Sequence, residues 1–176
     1  VNRIGSADTL LPDASGRLIV GGNFRAVNGT AASHLARLTA AGALDPTFTL
    51  GTAPNRGVKQ VIRQADGKLL VNGTRQETNG DLKATVVRLL ANGAADGGFG
   101  FVAANPGSFI AGLLAAPEGK SLIFGLLFNA DNTSGKPILR LNPTGSIDST
   151  FNAGGEIEPA HFLGATLQPD ARVVVV

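Results

Sequence analysis

The stretch GALDPTF, residues 42 to 48, contains the motif G-x-x-D-x-x-F, which returns twice further along the chain. It recurs as GAADGGF at residues 93 to 99 and as GSIDSTF at residues 145 to 151. Internal repetition at a fixed period is typical of solenoid and propeller architectures. The period of this motif, and the elements that fit between its copies, therefore decide which fold the sequence predicts.

The period of the repeat is 51 to 52 residues. Gly67 of DGKLLVNG lies 51 residues after its counterpart in SGRLIVGG and 52 residues before its counterpart in EGKSLIFG. In each repeat the motif's Phe follows this glycine by 32 residues, so no gap falls inside the repeat. The segment DARVVVV begins a fourth repeat, with Ala171 at the glycine position. The repeated anchors are Gly16, Gly67, Gly119, Arg37, Arg88, Arg140, Asp45, Asp96, Asp148, Phe48, Phe99 and Phe151.

The second repeat contains four short runs of strand-forming residues separated by turn signals. The runs are VKQVIRQ (58 to 64), KLLVNGT (68 to 74), TVVRLL (85 to 90) and the weaker AADGGFGFV (94 to 102). The Asn79-Gly80 step supplies the positive φ values that a hairpin turn needs, and no run has the 3.6-residue period of a helix. A four-stranded antiparallel meander that repeats about every 40 to 50 residues is typical of β-propeller blades.

We therefore predict an all-β chain built as one repeat domain over residues 1–176. Blade one covers residues 7–57, blade two 58–109, blade three 110–161, and 162–176 begin blade four. Propellers close with about 4 to 8 blades, and three and a third repeats do not close a ring. We expect the chain to be part of a larger propeller in a longer polypeptide, or its open ends to pair with another copy of the chain.

We expect the motif to fix the strand register of each blade and its packing against the next blade. The glycine falls in the turn between the third and fourth strands, and the Asp follows the Arg by eight residues, as from Arg37 to Asp45. Two positions so placed around a short hairpin lie opposite or diagonal to each other. We predict an Arg–Asp pair that fixes the register of the hairpin, and a Phe that forms an apolar wedge between one blade and the next.

Composition excludes several classes of protein. The net charge of +2 rests on 15 basic and 13 acidic residues without a basic stripe, so we predict no nucleic-acid binding. The absence of Cys excludes disulfides and thiolate metal sites. The longest apolar runs, FIAGLLAA and SLIFGLLF, are far shorter than the roughly 18 residues that cross a bilayer, so we predict no membrane span.

Residues for catalysis are not evident in the sequence. His34 follows Ser33 and His161 lies near Glu158, but neither histidine accompanies a G-x-S-x-G elbow. An Asp that recurs in every blade indicates architecture, because one active site needs it only once. We predict no catalytic residues, no cofactor and no enzymatic activity.

One loop has a weak metal-binding pattern. NADNTSG, residues 129 to 135, places oxygen ligands at alternate positions, namely Asn129, Asp131 and Thr133. A calcium loop of the EF-hand type needs more carboxylates and a Glu at position twelve, where this chain has Arg140. A plain hairpin turn is the favoured interpretation, with calcium as the alternative. A binding site should instead use loop residues that differ between blades, such as Arg25, His34, Arg75, Glu77 and Lys83.

The stretches QADGKLLVNG, ARLTAAGALDPTF and LRLNPTGSIDSTF resemble the delta-sixty repeat, a propeller-type repeat found in tandem in large bacterial secreted and surface proteins. The resemblance covers essentially the whole chain. It departs from the pattern at Gly98, where a Thr is usual, and at Ala171, where a Gly is usual. The resemblance implies a β-propeller in an extracellular or cell-surface setting, and it implies no catalytic residues.

The expected function is accordingly a non-enzymatic structural, interaction or adhesion module of a bacterial secreted or surface protein. Its partners would be further blades of the same polypeptide or other copies of the chain, with any protein or glycan ligand unknown. Two alternatives stay open at this stage. One is a lectin-like propeller, against which the absence of Trp and Tyr counts. The other is a propeller hydrolase whose active site lies in segments outside this sequence.

Overall fold

The computed structural model of the chain describes residues 5–51, 54–128, 131, 135–151, 164–169 and 172–175. Within these residues the structure is formed by β-strands, with one short 3-10 helix at Pro117–Gly119. All the strand pairings are antiparallel, and the strands follow one another in sequence order across each sheet. The predicted all-β fold of antiparallel meanders is confirmed.

The first sheet belongs to blade one. It contains β1 (Ser6–Pro12), β2 (Leu18–Asn23) and β5 (Leu35–Leu38), in the order β1-β2-β5. A small hairpin of β3 (Ala26–Val27) and β4 (Thr30–Ala31) forms the connection between β2 and β5. Its turn residues Asn28 and Gly29 have φ values of 49° and 79°, which is the backbone that a tight hairpin turn requires.

The second sheet is the complete four-stranded meander. Its strands are β6 (Val58–Arg63), β7 (Leu69–Gln76), β8 (Leu82–Leu89) and β9 (Ala95–Val102). The hairpin of β7 and β8 keeps its pairing without interruption from Leu69↔Leu89 to Gln76↔Leu82. This sheet lies between the first and third sheets and contacts both.

Two further sheets complete the described part of the chain. The third contains β10 (Phe109–Ala115), β11 (Ser121–Leu126) and β12 (Ile138–Leu141). The fourth is a hairpin of β13 (Ala165–Leu167) and β14 (Val173–Val175). Its side chains Leu167 and Val173 pack against the buried face of the third sheet.

Among the residues that the structure describes, the fourth strand forms a single bridge in the first and third sheets, Leu38↔Leu44 and Leu141↔Ile147. In blade one the chain leaves its own sheet after the motif and pairs with the next blade. The Thr49 N–H donates to the Asn92 carbonyl at 2.9 Å, and the Gly51 N–H donates to the Gly93 carbonyl at 2.9 Å. The fourth strand therefore serves the joint between blades as well as its own sheet.

The first strands of the first three sheets share a β-bulge. The register shifts between Ala7 and Thr9 in β1, between Val58 and Gln60 in β6, and between Ile110 and Gly112 in β10. The extra residues are Asp8, Lys59 and Ala111, and all three are exposed. A bulge leaves its extra residue out of the ladder and changes the direction of its side chain.

The core lies between successive sheets. Leu113 in blade three and Val61 in blade two are buried to 0% and 4% exposure, whereas Leu10, at the same repeat position in blade one, is 59% exposed. One core cluster joins the first and second sheets, and another joins the second and third. The first includes Ile19, Leu35, Val58, Leu69 and Leu89, and the second includes Leu70, Val86, Phe101, Leu113 and Ile123.

Candidate functional site

The three copies of the motif build the same cluster of Arg, Asp and Phe side chains. In each copy the Arg Nε donates to the Asp Oδ2 at 2.8 Å, and the guanidinium carbon lies 4.8 Å from the centroid of the Phe ring. A guanidinium over an aromatic face is attracted by the ring and also shields the ion pair from water. The clusters are Arg37–Asp45–Phe48, Arg88–Asp96–Phe99 and Arg140–Asp148–Phe151.

Each Asp also faces a second cation, which the sequence analysis missed. The Nζ of Lys68 lies 3.3 Å from Asp96 Oδ2, and the Nζ of Lys120 lies 3.1 Å from Asp148 Oδ2. Arg17 approaches Asp45 less closely, at 3.9 Å. The signal was present in the sequence, because a basic residue directly follows the repeated glycine in all three repeats.

The other oxygen of each Asp accepts bonds from the turn that follows it. The N–H and hydroxyl of Thr47 donate to Asp45 Oδ1 at 2.9 and 2.7 Å, and together they are the main reason that the pKa of Asp45 is lowered to about 2. The hydroxyl of Thr150, followed by the ammonium of Lys120 and the Thr150 N–H, lowers the pKa of Asp148 further still.

Blade two has a glycine in place of this Thr. Partial burial opposes the ionisation of Asp96, but the hydrogen bonds from Arg88 and the Gly98 N–H outweigh it and lower the pKa. All three repeated carboxylates are therefore ionised at neutral pH. A general acid requires the opposite shift, since it must hold its proton at neutral pH.

The Arg of one blade also bonds to the next blade. Arg37 Nη1 donates to the Ala91 carbonyl at 2.8 Å, and Arg88 Nη1 donates to the Pro143 carbonyl at 2.8 Å. Both carbonyls belong to the turn after the third strand of the following blade. The Gly100 N–H donates to the same turn of blade three, at the Thr144 carbonyl, over 3.3 Å. The cluster therefore connects two neighbouring sheets, and its Arg–Asp pair also links two strands within one sheet.

The glycine of the motif lies in the turn that contacts the preceding blade. Gly93 has a φ of +89°, and a Cβ placed on it would lie 3.0 Å from the ring of Phe48 in the preceding blade. Gly145 has a φ of +87°, and a Cβ there would lie 2.5 Å from the Gly100 carbonyl oxygen. A larger residue would therefore be strained and would also push the blades apart. Gly42, in blade one, has nothing within 4 Å of that position.

The third cluster differs from the other two in its surroundings. The Arg140 side chain is 28% exposed, against 6% for Arg37 and 9% for Arg88. A cavity of about 180 Å³ lies beside it, lined in part by Lys120 and Phe151. In the first two clusters the turn of the following blade accepts a bond from the Arg Nη1, at the Ala91 and Pro143 carbonyls.

The weak metal candidates are mostly outside the described residues. Asn129 and Thr133 are not described, and Asp131 lies in a turn. Across the part of the chain that the structure describes, no group of three or more His, Asp or Glu side chains is arranged to hold a metal ion. His161 and Glu158 also lie outside the described residues.

The loop residues that differ between blades lie together at one end of the sheets. This is the end at which the second strand of each blade turns into the third. Arg75 Nε pairs with Glu77 Oε1 at 3.3 Å, and Lys83 Nζ donates to the Ala104 carbonyl at 3.1 Å. Arg25 is exposed there. His34 is buried with a φ of +66°, and its Nδ1 has no hydrogen-bond partner among the described residues. In the described ranges, no helix is long and apolar enough to cross a membrane.

Comparison with known proteins identifies the repeat. The family model described as "Domain of unknown function (DUF5122) beta-propeller" matches residues 14–48, 64–99 and 118–151. Each matched segment ends at the Phe of the motif. The comparison with curated proteins gives no match.

Two solved structures are similar to the chain, and the first of them supports the fold alone. A crystal structure of glucose dehydrogenase superimposes with a TM-score of 0.55 at 13% identity, covering 96% of this chain and 58% of that one. A GH43_1 enzyme from Xanthomonas citri complexed with xylose gives a TM-score of 0.41 at 14% identity, covering 99% of this chain and 60% of that one. The chain therefore spans less than two thirds of either protein.

Proposed function

This chain belongs to the DUF5122 beta-propeller family, and from that premise we propose that it is a non-enzymatic structural and interaction module of a bacterial secreted or cell-surface protein. We take its repeats to be delta-sixty repeats, on the motifs quoted above. The proposal rests on the hydrogen bonds that the repeated polar residues make within a blade and between blades. Arg37 and Arg88 each donate to the Asp of their own blade and also to a carbonyl of the next blade.

The electrostatics of the repeated carboxylates supports a structural role. Hydrolysis of the glycosidase type needs two facing carboxyl groups, of which one has a raised pKa so that it can donate a proton. Asp45, Asp96 and Asp148 instead have lowered pKa values, and each faces two cations. Such a carboxylate holds an ion pair, and it is a poor proton donor at neutral pH.

We propose further blades of the same polypeptide as the main partners. The apolar positions that are buried in blades two and three include Val61 and Leu113, while Leu10 at the same position is 59% exposed. In blade three, no carbonyl among the described residues accepts a hydrogen bond from Arg140 Nη1. Both surfaces have the chemistry that two blades use against each other in the joints already described.

The proposed role is tested on the native polypeptide. Its intact mass under denaturing conditions is expected to be several-fold above the 17.9 kDa of this chain. Cell fractionation should place it outside the cytoplasm. A glycan array, a pull-down and screens for glycoside hydrolysis then separate the alternatives. Hydrolysis that disappears in an Asp96→Asn variant of unchanged folding would overturn the structural role, and glycan capture without turnover would favour a lectin-like propeller.

A further inference from the structure

A small cavity opens at the joint between blades two and three, away from the Arg–Asp–Phe clusters. Its volume is about 220 Å³, and it lies between the hairpin of β7 and β8 and the beginning of β10. We call it the Lys59 cavity, defined by Lys59, Asn72, Thr74, Ser108 and Phe109 among its lining residues. It lies at the end of the sheets that carries the loops differing from blade to blade.

The cation of this cavity has no acidic partner. Lys59 is the extra residue of the bulge in β6, and its Nζ lies 4.1 Å from the centroid of the Phe109 ring. Among the described residues no carboxylate lies within 4.0 Å of this ammonium, although Lys68 and Lys120 each have one at a shorter distance. An ammonium held over an aromatic ring without a counter-ion is placed to receive an anion.

The walls of the cavity divide into a polar and an apolar part. The Phe128 N–H donates to Ser108 Oγ at 3.0 Å, so the hydroxyl hydrogen of this buried Ser is left to donate, and Thr74 adds a second hydroxyl. Asn72 is fully buried, and its Nδ2 fixes the Ile110 carbonyl at 3.3 Å. Phe109 also lines the cavity, and its side chain is 44% exposed, so the ring is accessible as an apolar wall.

The lining is specific to this joint. One repeat earlier, Asp8 stands in place of Lys59 and Gly57 stands in place of Phe109. Gly21 stands in place of Asn72, and a Cβ on Gly21 would lie 2.5 Å from the side chain of Val58, so the space is closed there. Residues that only build a blade recur in every blade, whereas these residues occur at one joint.

We propose that the Lys59 cavity binds a small organic carboxylate with an apolar ring or chain. Lys59 is the counter-ion, the hydroxyl groups of Ser108 and Thr74 donate to the carboxylate, and Phe109 contacts the apolar body. Ligand sites in general combine apolar walls with a few placed polar groups. The inference goes beyond the structural role, which stands whether or not the cavity binds a ligand.

Benzoate is the probe, and the complete chain is titrated with it by calorimetry and by ligand-detected NMR. The uncharged analogue benzamide is expected to bind about tenfold more weakly, because it cannot use the ammonium. Lys59→Ala should weaken benzoate by about tenfold, and Lys59→Arg should keep most of the affinity. The matched control is Lys83→Ala, at the same end of blade two but outside the lining, which should leave benzoate binding unchanged.

Three results would overturn the proposal. They are no benzoate binding up to about 10 mM, equal binding of benzoate and benzamide, or equal loss in the Lys59 and Lys83 variants. The comparison of benzoate with benzamide needs no variant, so it decides the matter even if a substitution disturbs folding. The structural role is tested separately by the mass and activity of the native polypeptide.

Discussion

Blades one and two carry the same Arg, Asp and Phe, but both residues between the Asp and the Phe differ. In blade one the turn is Asp45-Pro46-Thr47-Phe48, and the Thr47 hydroxyl donates to Asp45 and accepts from Arg37 Nη2 at 3.0 Å. In blade two a glycine replaces the Thr, and Gly98 gives Asp96 only its backbone N–H, at 3.2 Å. The side chain of Asp96 is 17% exposed, against 7% for Asp45.

The joint between blades is nevertheless the same in both. Arg37 and Arg88 keep the same 2.8 Å bond to the Asp and the same 2.8 Å bond to the next blade. The Thr therefore secures the carboxylate, while the Arg and Phe hold the blades together. Substitutions at these positions should separate the two roles.

Phe99→Ala is expected to have the largest effect. Phe99 is buried in the cluster between the second and third sheets, so its loss should lower the free energy of unfolding by about 3 to 5 kcal/mol. Phe48→Ala should cost less, because Phe48 is only partly buried. Urea unfolding of both variants measures the difference. A loss below about 1 kcal/mol for Phe99→Ala would remove this side chain from the core.

The Arg variants should come next. Arg88→Ala removes charge-assisted bonds in a buried site and should cost about 2 to 3 kcal/mol. Arg37→Ala should cost more than Arg88→Ala, because Asp45 is left with Arg17 at 3.9 Å whereas Asp96 keeps Lys68 at 3.3 Å. The exposed Arg63→Ala serves as the control in the same urea series. Equal stability of Arg88→Ala and Arg63→Ala would show that the joint does not depend on the guanidinium.

Gly98→Thr should stabilise blade two by about 0.5 to 1 kcal/mol. The φ of Gly98 is not in the left-handed region, and a Cβ there would meet only the Asp96 carboxylate, at 3.5 Å. The new hydroxyl can then bond to Asp96 as Thr47 bonds to Asp45. Thr47→Gly should produce the opposite change in blade one. Thermal unfolding of the two variants tests the pair, and destabilisation by Gly98→Thr would mean that blade two cannot adopt the turn of blade one.

The smallest expected effect is on the acid side of the stability profile. The pKa of Asp45 is lowered from 3.8 to about 2, so the folded state binds fewer protons than the unfolded state in this interval. Its contribution to stability is complete above the unfolded value and is lost as the pH falls toward 2. Thr47→Val should raise this pKa and flatten the profile between pH 4 and 2, as followed by the urea midpoint. An unchanged profile in Thr47→Val would contradict the role assigned to the hydroxyl.

Much of the fold could be predicted because its signals are local. The Asn28-Gly29 step and the glycines of the motif mark turns by their positive φ values, and the spacing from Gly67 to Phe99 reveals one blade. By contrast, Arg88 Nη1 donates to the Pro143 carbonyl, which lies 55 residues away along the chain. Sequence spacing gives no measure of the rotation between two sheets, so the partner of Nη1 could not be read from it.

The binding candidates show the same limit. Arg75 and Glu77 were singled out because they differ between blades, and they pair with each other in the structure. Lys59 and Phe109 differ between blades too, but they are 50 residues apart and meet only because β6 and β10 lie side by side. A bulge that exposes Lys59 is a property of strand pairing, which no local pattern at this position announces.

The sequence by itself determined the period, the all-β class and the residues that repeat, since turns and strands depend on neighbouring residues along the chain. The tertiary structure alone decided what the repeated residues do. Within one copy of the G-x-x-D-x-x-F motif, the glycine and the Phe contact different neighbouring blades. Gly93 lies against the ring of Phe48 in blade one, while Phe99 packs toward blade three. The physical reason is that close packing and hydrogen bonding act between surfaces, and which surfaces meet is set by the stacking of whole sheets.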